Sequence, residues 1–173
     1  MASVPSDEEI TFADHVGRFY ARRYAMAPMV GRLIGYLAVC DPPEQSVSEL
    51  ADALLASRSA IAGAVNTLDT LRLIRRSRAA GERMDRVSID PYSPNAMGGV
   101  DITEYQEHGD LAREGLRLLA DAPPERRATL LEWAAFADFL VERLPVLDQE
   151  WKERREALRA VGEIPDVSER KAR

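Results

Sequence analysis

Apolar residues recur at helical spacing through most of the chain, two serine-capped segments follow one another at residues 46–55 and 57–71, and a glycine-centred alternating stretch follows at 71–89. Together these observations predict a mainly α fold: a winged helix-turn-helix with a two-stranded β-hairpin wing and further helices on either side. With 173 residues, 46% of them hydrophobic, the chain is long enough for one compact domain with a helical extension.

The first element is "ITFADHVGRFYARRYA", where Ile10, Phe12, Val16, Phe19 and Tyr20 fall near one stripe and predict an amphipathic helix over residues 8–25. In "PMVGRLIGYLAVC", Pro28 suits a helix start, and Met29, Leu33, Ile34, Leu37 and Cys40 share one side. The run "DPPEQ" breaks that helix. Ser46 with Glu49 three residues on is a capping-box pattern, and Val47, Leu50, Ala51 and Leu54 form the apolar side of a short helix ending near Leu55. Ser57 opens the next, whose stripe is Ile61, Val65 and Leu68. "LRLIRRSR" and "RMDRVSI" then alternate as strands around "AAGE", where Gly81 supplies the residue able to take positive φ in a hairpin turn. "DPYSPNAMGG" reads as a linker. Beyond it a helix is expected from Asp101 to about Ala122, then a long helix with Leu130, Trp133, Ala137, Leu140, Leu144, Leu147 and Trp151 on one stripe and a kink at Pro145. The expected organisation is residues 8–90 as the winged helix-turn-helix DNA-binding domain with an N-terminal dimerisation helix, 101–161 as a C-terminal helical dimerisation region, and 162–173 as a flexible tail.

Net charge is −6, but it is unevenly spread. Between Ser57 and Asp90 seven arginines face four acids, a local +3 that leaves −9 for the remainder. A basic island on a compact element is the electrostatic footprint of a nucleic-acid partner. Its leading helix supports that reading, because the side opposite the apolar stripe carries Ser59, Ala62, Gly63 and Asn66 where surface helices usually carry long charged side chains. Small side chains let a helix backbone approach base edges in the major groove of double-stranded DNA. Ala62 and Gly63 permit the approach, Arg58, Ser59 and Asn66 reach donors and acceptors, and Ser57 caps a helix N-terminus whose free amides suit a phosphate. Arginine and asparagine are suited to guanine and adenine respectively. The hairpin arginines Arg78, Arg83 and Arg86 would meet an adjacent groove or the backbone, Arg83 foremost near the tip. Two other readings of these features exist: small residues on a helix also serve helix packing, and a basic winged helix can bind an acidic protein partner.

Other chemistry is poorly supported. No nucleophile–base motif, Gly-rich phosphate loop or carboxylate pair stands out, so an enzyme is not expected. His15 and His108 sit beside acids but lack metal-ligand spacing, and no cofactor is expected. The lone Cys40 lies on an apolar stripe, where a thiol is an inert small hydrophobe rather than a redox switch. Trp133, Trp151, Phe136 and Phe139 suit core or dimer contacts better than an effector pocket. The N-terminus is acidic and polar, no run of about 18 apolar residues occurs, and a cytoplasmic protein without membrane association is expected.

The segment "MAPMVGRLIGYLAVCDPPEQSVSELADALLASRSAIAGAVNTLDTLRLIRRSRAAGERMDRVSI" resembles the GbsR branch of MarR-type transcriptional regulators, with a glycine-arginine helix, an S-x-x-E-L-A helix, an S-x-x-x-I recognition helix and a G-E-R wing in that order. The likeness is strong over residues 10–90 and looser over "LLEWAAFADFLVERLPVLDQEW". It implies a homodimer built from N- and C-terminal helices, DNA contacts at Ser57, Arg58, Ser59 and Asn66, a wing contact at Arg83, and possible response to a small-molecule effector. Two departures from the family pattern are Ala62, where a serine is frequent, and "IDPYSPNAMGG" after the wing, where many members have a Leu-Thr pair.

Overall fold

A computed structural model of the chain describes residues 4–78, 85–91 and 102–165. It divides into two compact units, Met1–Met97 and Gly98–Arg173.

The first unit runs α1 (Asp7–Tyr24), α2 (Pro28–Val39), β1 (Gln45–Ser46), α3 (Val47–Ala53), α4 (Arg58–Thr70), β2 (Ile74–Ser77) and β3 (Arg86–Ile89). The two expected strands pair, β2 and β3 running antiparallel with Ile74 opposite Ile89, while the expected turn at Gly81 lies outside the described residues. It gains a third strand, because β1 pairs antiparallel with the other edge of β3, giving the order β1-β3-β2. The break at "DPPEQ" therefore ends in a two-residue strand, and buried Gln45 donates from Nε2 to the Pro42 carbonyl at 2.6 Å.

The capping box at Ser46 forms as its sequence predicts: Ser46 Oγ accepts from the Glu49 amide at 3.2 Å, and Glu49 Oε2 accepts from the Ser46 amide at 2.8 Å. Tyr36, Leu33, Leu50, Leu54, Ile61, Val65, Leu68, Ile74 and Val87 meet in one core beneath the helices and sheet.

The buried side of α1 differs from the expected stripe. Ala13 and Gly17 face inward, whereas Phe12 and Phe19 are exposed. The reason lies in the partner helix: a Cβ on Gly31 would stand 2.8 Å from the Gly17 Cα, and one on Gly35 would stand 2.8 Å from the Ala13 Cα. Two backbones this close leave no room for aromatic side chains between them, so the small residues of α1 form the seam. Arg32 closes its edge, pairing with Asp14 at 2.6 Å and donating to the Leu54 carbonyl at 3.4 Å.

The second unit is a helix pair, α5 (Thr103–Leu118) and α6 (Pro124–Ala160). The first is shorter than the expected 101–122. The 37-residue α6 continues through Pro145, which lacks the amide hydrogen that position would donate. Gly109 lies over Ala137 and Gly115 over Leu130, and Arg113 bridges Asp110 and Asp138 at 3.1 and 2.9 Å. The interhelical seam is narrow: Ala112, Ala134 and Ala137 are the buried hydrophobic residues described in this unit. Of the predicted α6 stripe, Ala137 is buried, Leu130, Leu140, Leu144 and Trp151 are half-buried, and Trp133 and Leu147 lie open. The tail beyond residue 165 and the linker at 92–101 lie outside the described residues.

Candidate nucleic-acid interface

The bare helix face exists. Ser57 takes the N-cap position of α4, and its Oγ accepts from the Ala60 amide at 3.1 Å. Ile61, Ala64, Val65 and Leu68 anchor α4 to the core, which turns Arg58, Ser59, Gly63 and Asn66 outward and leaves Ala62 half-buried. A Cβ built on Gly63 meets nothing within 4 Å. No internal packing therefore requires glycine there, although glycine in a helix interior costs about 1 kcal/mol relative to alanine.

The residues expected to reach a ligand are held in different ways. Arg58 donates from Nη2 to Ser48 Oγ at 3.0 Å, so its guanidinium lies between the N-terminal turns of α3 and α4. Ser57 and Ser59 share a hydrogen bond at 3.0 Å. Thr67 and Thr70 turn back onto their own helix, donating to the carbonyls of Gly63 and Asn66 at 3.1 and 2.9 Å. Asn66 accepts from Arg76 on β2 at 3.0 Å, a connection between recognition helix and wing that residue spacing does not reveal.

Pairing on the wing sorts the basic island. Arg75 meets Asp90 at 2.7 Å, Arg76 meets Asp69 at 3.1 Å, and Arg78 meets Asp85 at 2.7 Å while remaining largely exposed. Arg86 works inside the domain: Nη1 is 3.1 Å from Glu49 Oε2 and 3.2 Å from the Glu44 carbonyl oxygen, tying β3 to the capping box. Burial alone would raise the Glu49 carboxyl, but its hydrogen bonds with Ser46 and the charge of Arg86 outweigh that and hold it below the ordinary range. Arg83 and the rest of residues 79–84 lie outside the described residues. Arg72, just beyond the C-terminal end of α4, is exposed and in the left-handed region at φ 54°.

Elsewhere, Cys40 is 7% exposed, and burial pushes its thiol up to about 11, so it stays protonated at neutral pH. His15 is on α1 and His108 on α5. Among the described residues no group of three His, Cys, Asp or Glu side chains could hold a metal ion, and no helix is long and apolar enough to cross a membrane. Trp133 and Phe136 are each 61% exposed and Phe139 is 54% exposed, so these aromatic residues form an outward apolar face within α6.

Comparison with known proteins places the chain among transcriptional regulators. Residues 96–154 match the model of the MmpR5-like MarR family transcriptional regulators. The HTH-type transcriptional regulator MmpR5 of Mycobacterium tuberculosis is 38% identical over 121 residues, which are 70% of this chain and 73% of that protein. A crystal structure of a transcriptional regulator superposes with a TM-score of 0.74 at 32% identity, covering 84% of this chain and 99% of the other. The branch matched is MmpR5-like, where the motifs resembled the GbsR branch. The winged helix-turn-helix fold and these likenesses agree, and the chain belongs to the MarR family of DNA-binding transcriptional regulators, which are not enzymes.

Proposed function

We infer that this protein is a cytoplasmic, sequence-specific regulator that binds an inverted-repeat operator as a homodimer. In this reading the unit at 8–90 contacts DNA and the helices at 101–161 dimerise. The recognition helix 57–71 enters the major groove, with Ser57 and Ser59 near phosphate, Arg58 and Asn66 at base edges, and Ala62 and Gly63 giving clearance. The wing 73–89 reaches the neighbouring backbone or groove through Arg78 and Arg83, while Arg86 chiefly holds the wing in place. A two-fold dimer presents two such helices, so half-sites stand about 10 bp apart centre to centre.

The observation that carries the DNA reading is Gly63, whose side-chain position faces open space on a helix anchored to the core by its opposite face. What supports the dimer is the apolar face of α6, with Trp133, Phe136, Phe139 and Leu147 all more than half exposed. A patch of this kind on a soluble protein marks an interaction surface, and a two-fold interface lets the same patch cover itself. The aromatic residues are assigned to that interface in preference to an effector pocket because they present their faces outward.

Selection of bound sequences from a random duplex pool, followed by binding at two salt concentrations, tests the reading. The expected result is an enriched inverted repeat whose affinity falls steeply with salt. Folded protein that enriches no sequence, or binds with a flat salt response, contradicts it.

A further inference from the structure

We propose that Arg76 is a positioning residue that sets base preference: it holds the Asn66 amide in one orientation and directs Asn66 to guanine rather than adenine. The inference rests on the reading of α4 as the groove helix.

Arg76 Nη2 donates to Asn66 Oδ1 at 3.0 Å and stands 3.1 Å from Asp69 Oδ2. A guanidinium carries donors and no acceptor, so the amide must turn its oxygen, not its nitrogen, toward Arg76. Asn66 and Asp69 lie three residues apart on α4 and share a face, and the Asp69 carboxylate pairs with the same Nη2 that donates to Asn66. The amide cannot rotate without breaking a hydrogen bond to a charged donor, the stronger class of such bonds. Its Nδ2 hydrogens are the free end, on a side chain that is exposed.

Adenine readout by asparagine uses both ends of the amide: the oxygen accepts from N6 and the nitrogen donates to N7. Here the oxygen is engaged by a cation that would also repel the N6 donors. Guanine instead offers two acceptors, N7 and O6, on the same major-groove edge, which match an amide reduced to donors. The open space around Gly63, one turn earlier on the same face, leaves room for the base pair to approach.

The test is selection from a random duplex pool with the full-length wild type and the variants Asn66→Ala, Arg76→Ala and Arg76→Lys. The operator position that loses its preference in Asn66→Ala is the one Asn66 reads. The wild type selects guanine there. Arg76→Ala, which frees the amide to rotate, moves the guanine-to-adenine ratio at that position about tenfold toward adenine and leaves other positions unchanged. Arg76→Lys, which still donates to Oδ1, restores guanine. An Arg76→Ala ratio within about twofold of wild type overturns the inference alone, as does an equal loss of affinity for every sequence or a wild type that selects adenine there. If Arg76→Ala does not fold, Asp69→Asn decides, since loosening the second anchor shifts the same position and an unchanged position refutes the role. A wild type that enriches no sequence overturns the DNA reading and this inference with it.

Discussion

The two halves of the molecule bury their apolar residues differently. In the first unit fifteen hydrophobic residues among those described, from α1 through β3, form a continuous buried core. In the second, the buried hydrophobic residues described are three alanines, while Trp133, Phe136, Phe139, Leu111, Leu118 and Leu147 stand open on its helices. An isolated helix pair gains little from so thin a seam, since helices in proteins are stabilised chiefly by packing an apolar face. The contrast teaches that the first unit buries a core of its own, whereas the long helices leave apolar surface uncovered, the surface that the proposed dimer would use.

Substitutions at the core should have the largest effect and no dependence on protein concentration. Leu33→Ala deletes a fully buried side chain and is expected to lower stability by about 2–5 kcal/mol in denaturant unfolding; a loss below about 1 kcal/mol would mean the first unit is less tightly packed than described. Next, Gly31→Ala places a methyl group against the Gly17 backbone, and about 1–3 kcal/mol is expected as α1 and α2 are forced apart. A thermal midpoint equal to wild type would show that the seam opens freely.

A smaller effect is expected from the lock between β3 and α3. The Glu49 carboxyl is lowered in the folded chain relative to its ordinary value of 4.5, so its contribution is present above that pH and is lost as pH falls through the depressed folded value. Glu49→Gln should therefore reduce stability at pH 7 and flatten the acid limb of a stability–pH curve. An acid limb superimposable on wild type would place the titration elsewhere. The smallest effect carries the opposite sign: Gly63→Ala should stabilise the free protein by about 0.5–1 kcal/mol while weakening operator binding. Tighter binding by this variant would remove the case for close approach at Gly63.

What was legible in the residues follows the range of the interactions. The Ser46–Glu49 box, the Ser57 cap, the α4 stripe and the β2–β3 pairing are specified by nearby residues, and each forms where its pattern stands. The inward side of α1 departs from its apolar stripe because its orientation depends on the backbone of α2 at Gly31 and Gly35, not on the hydrophobicity of Phe12 and Phe19. The strand at Gln45–Ser46 is too short for any alternation and exists through pairing with residues some forty positions away. At the interface, the outward set of α4 was readable from periodicity. The partners were not: Arg58 with Ser48, Asn66 with Arg76, and Arg86 with Glu49 are joined only by folding.

The most direct test of the division between a self-sufficient winged domain and a half-interface is the solution mass of the whole chain at micromolar concentration, by light scattering, for wild type and for Trp133→Glu/Phe136→Glu. The account predicts twice the 19.3 kDa chain mass for wild type and a shift toward a single chain for the variant. A wild type of 19.3 kDa, with its helices folded, would contradict it.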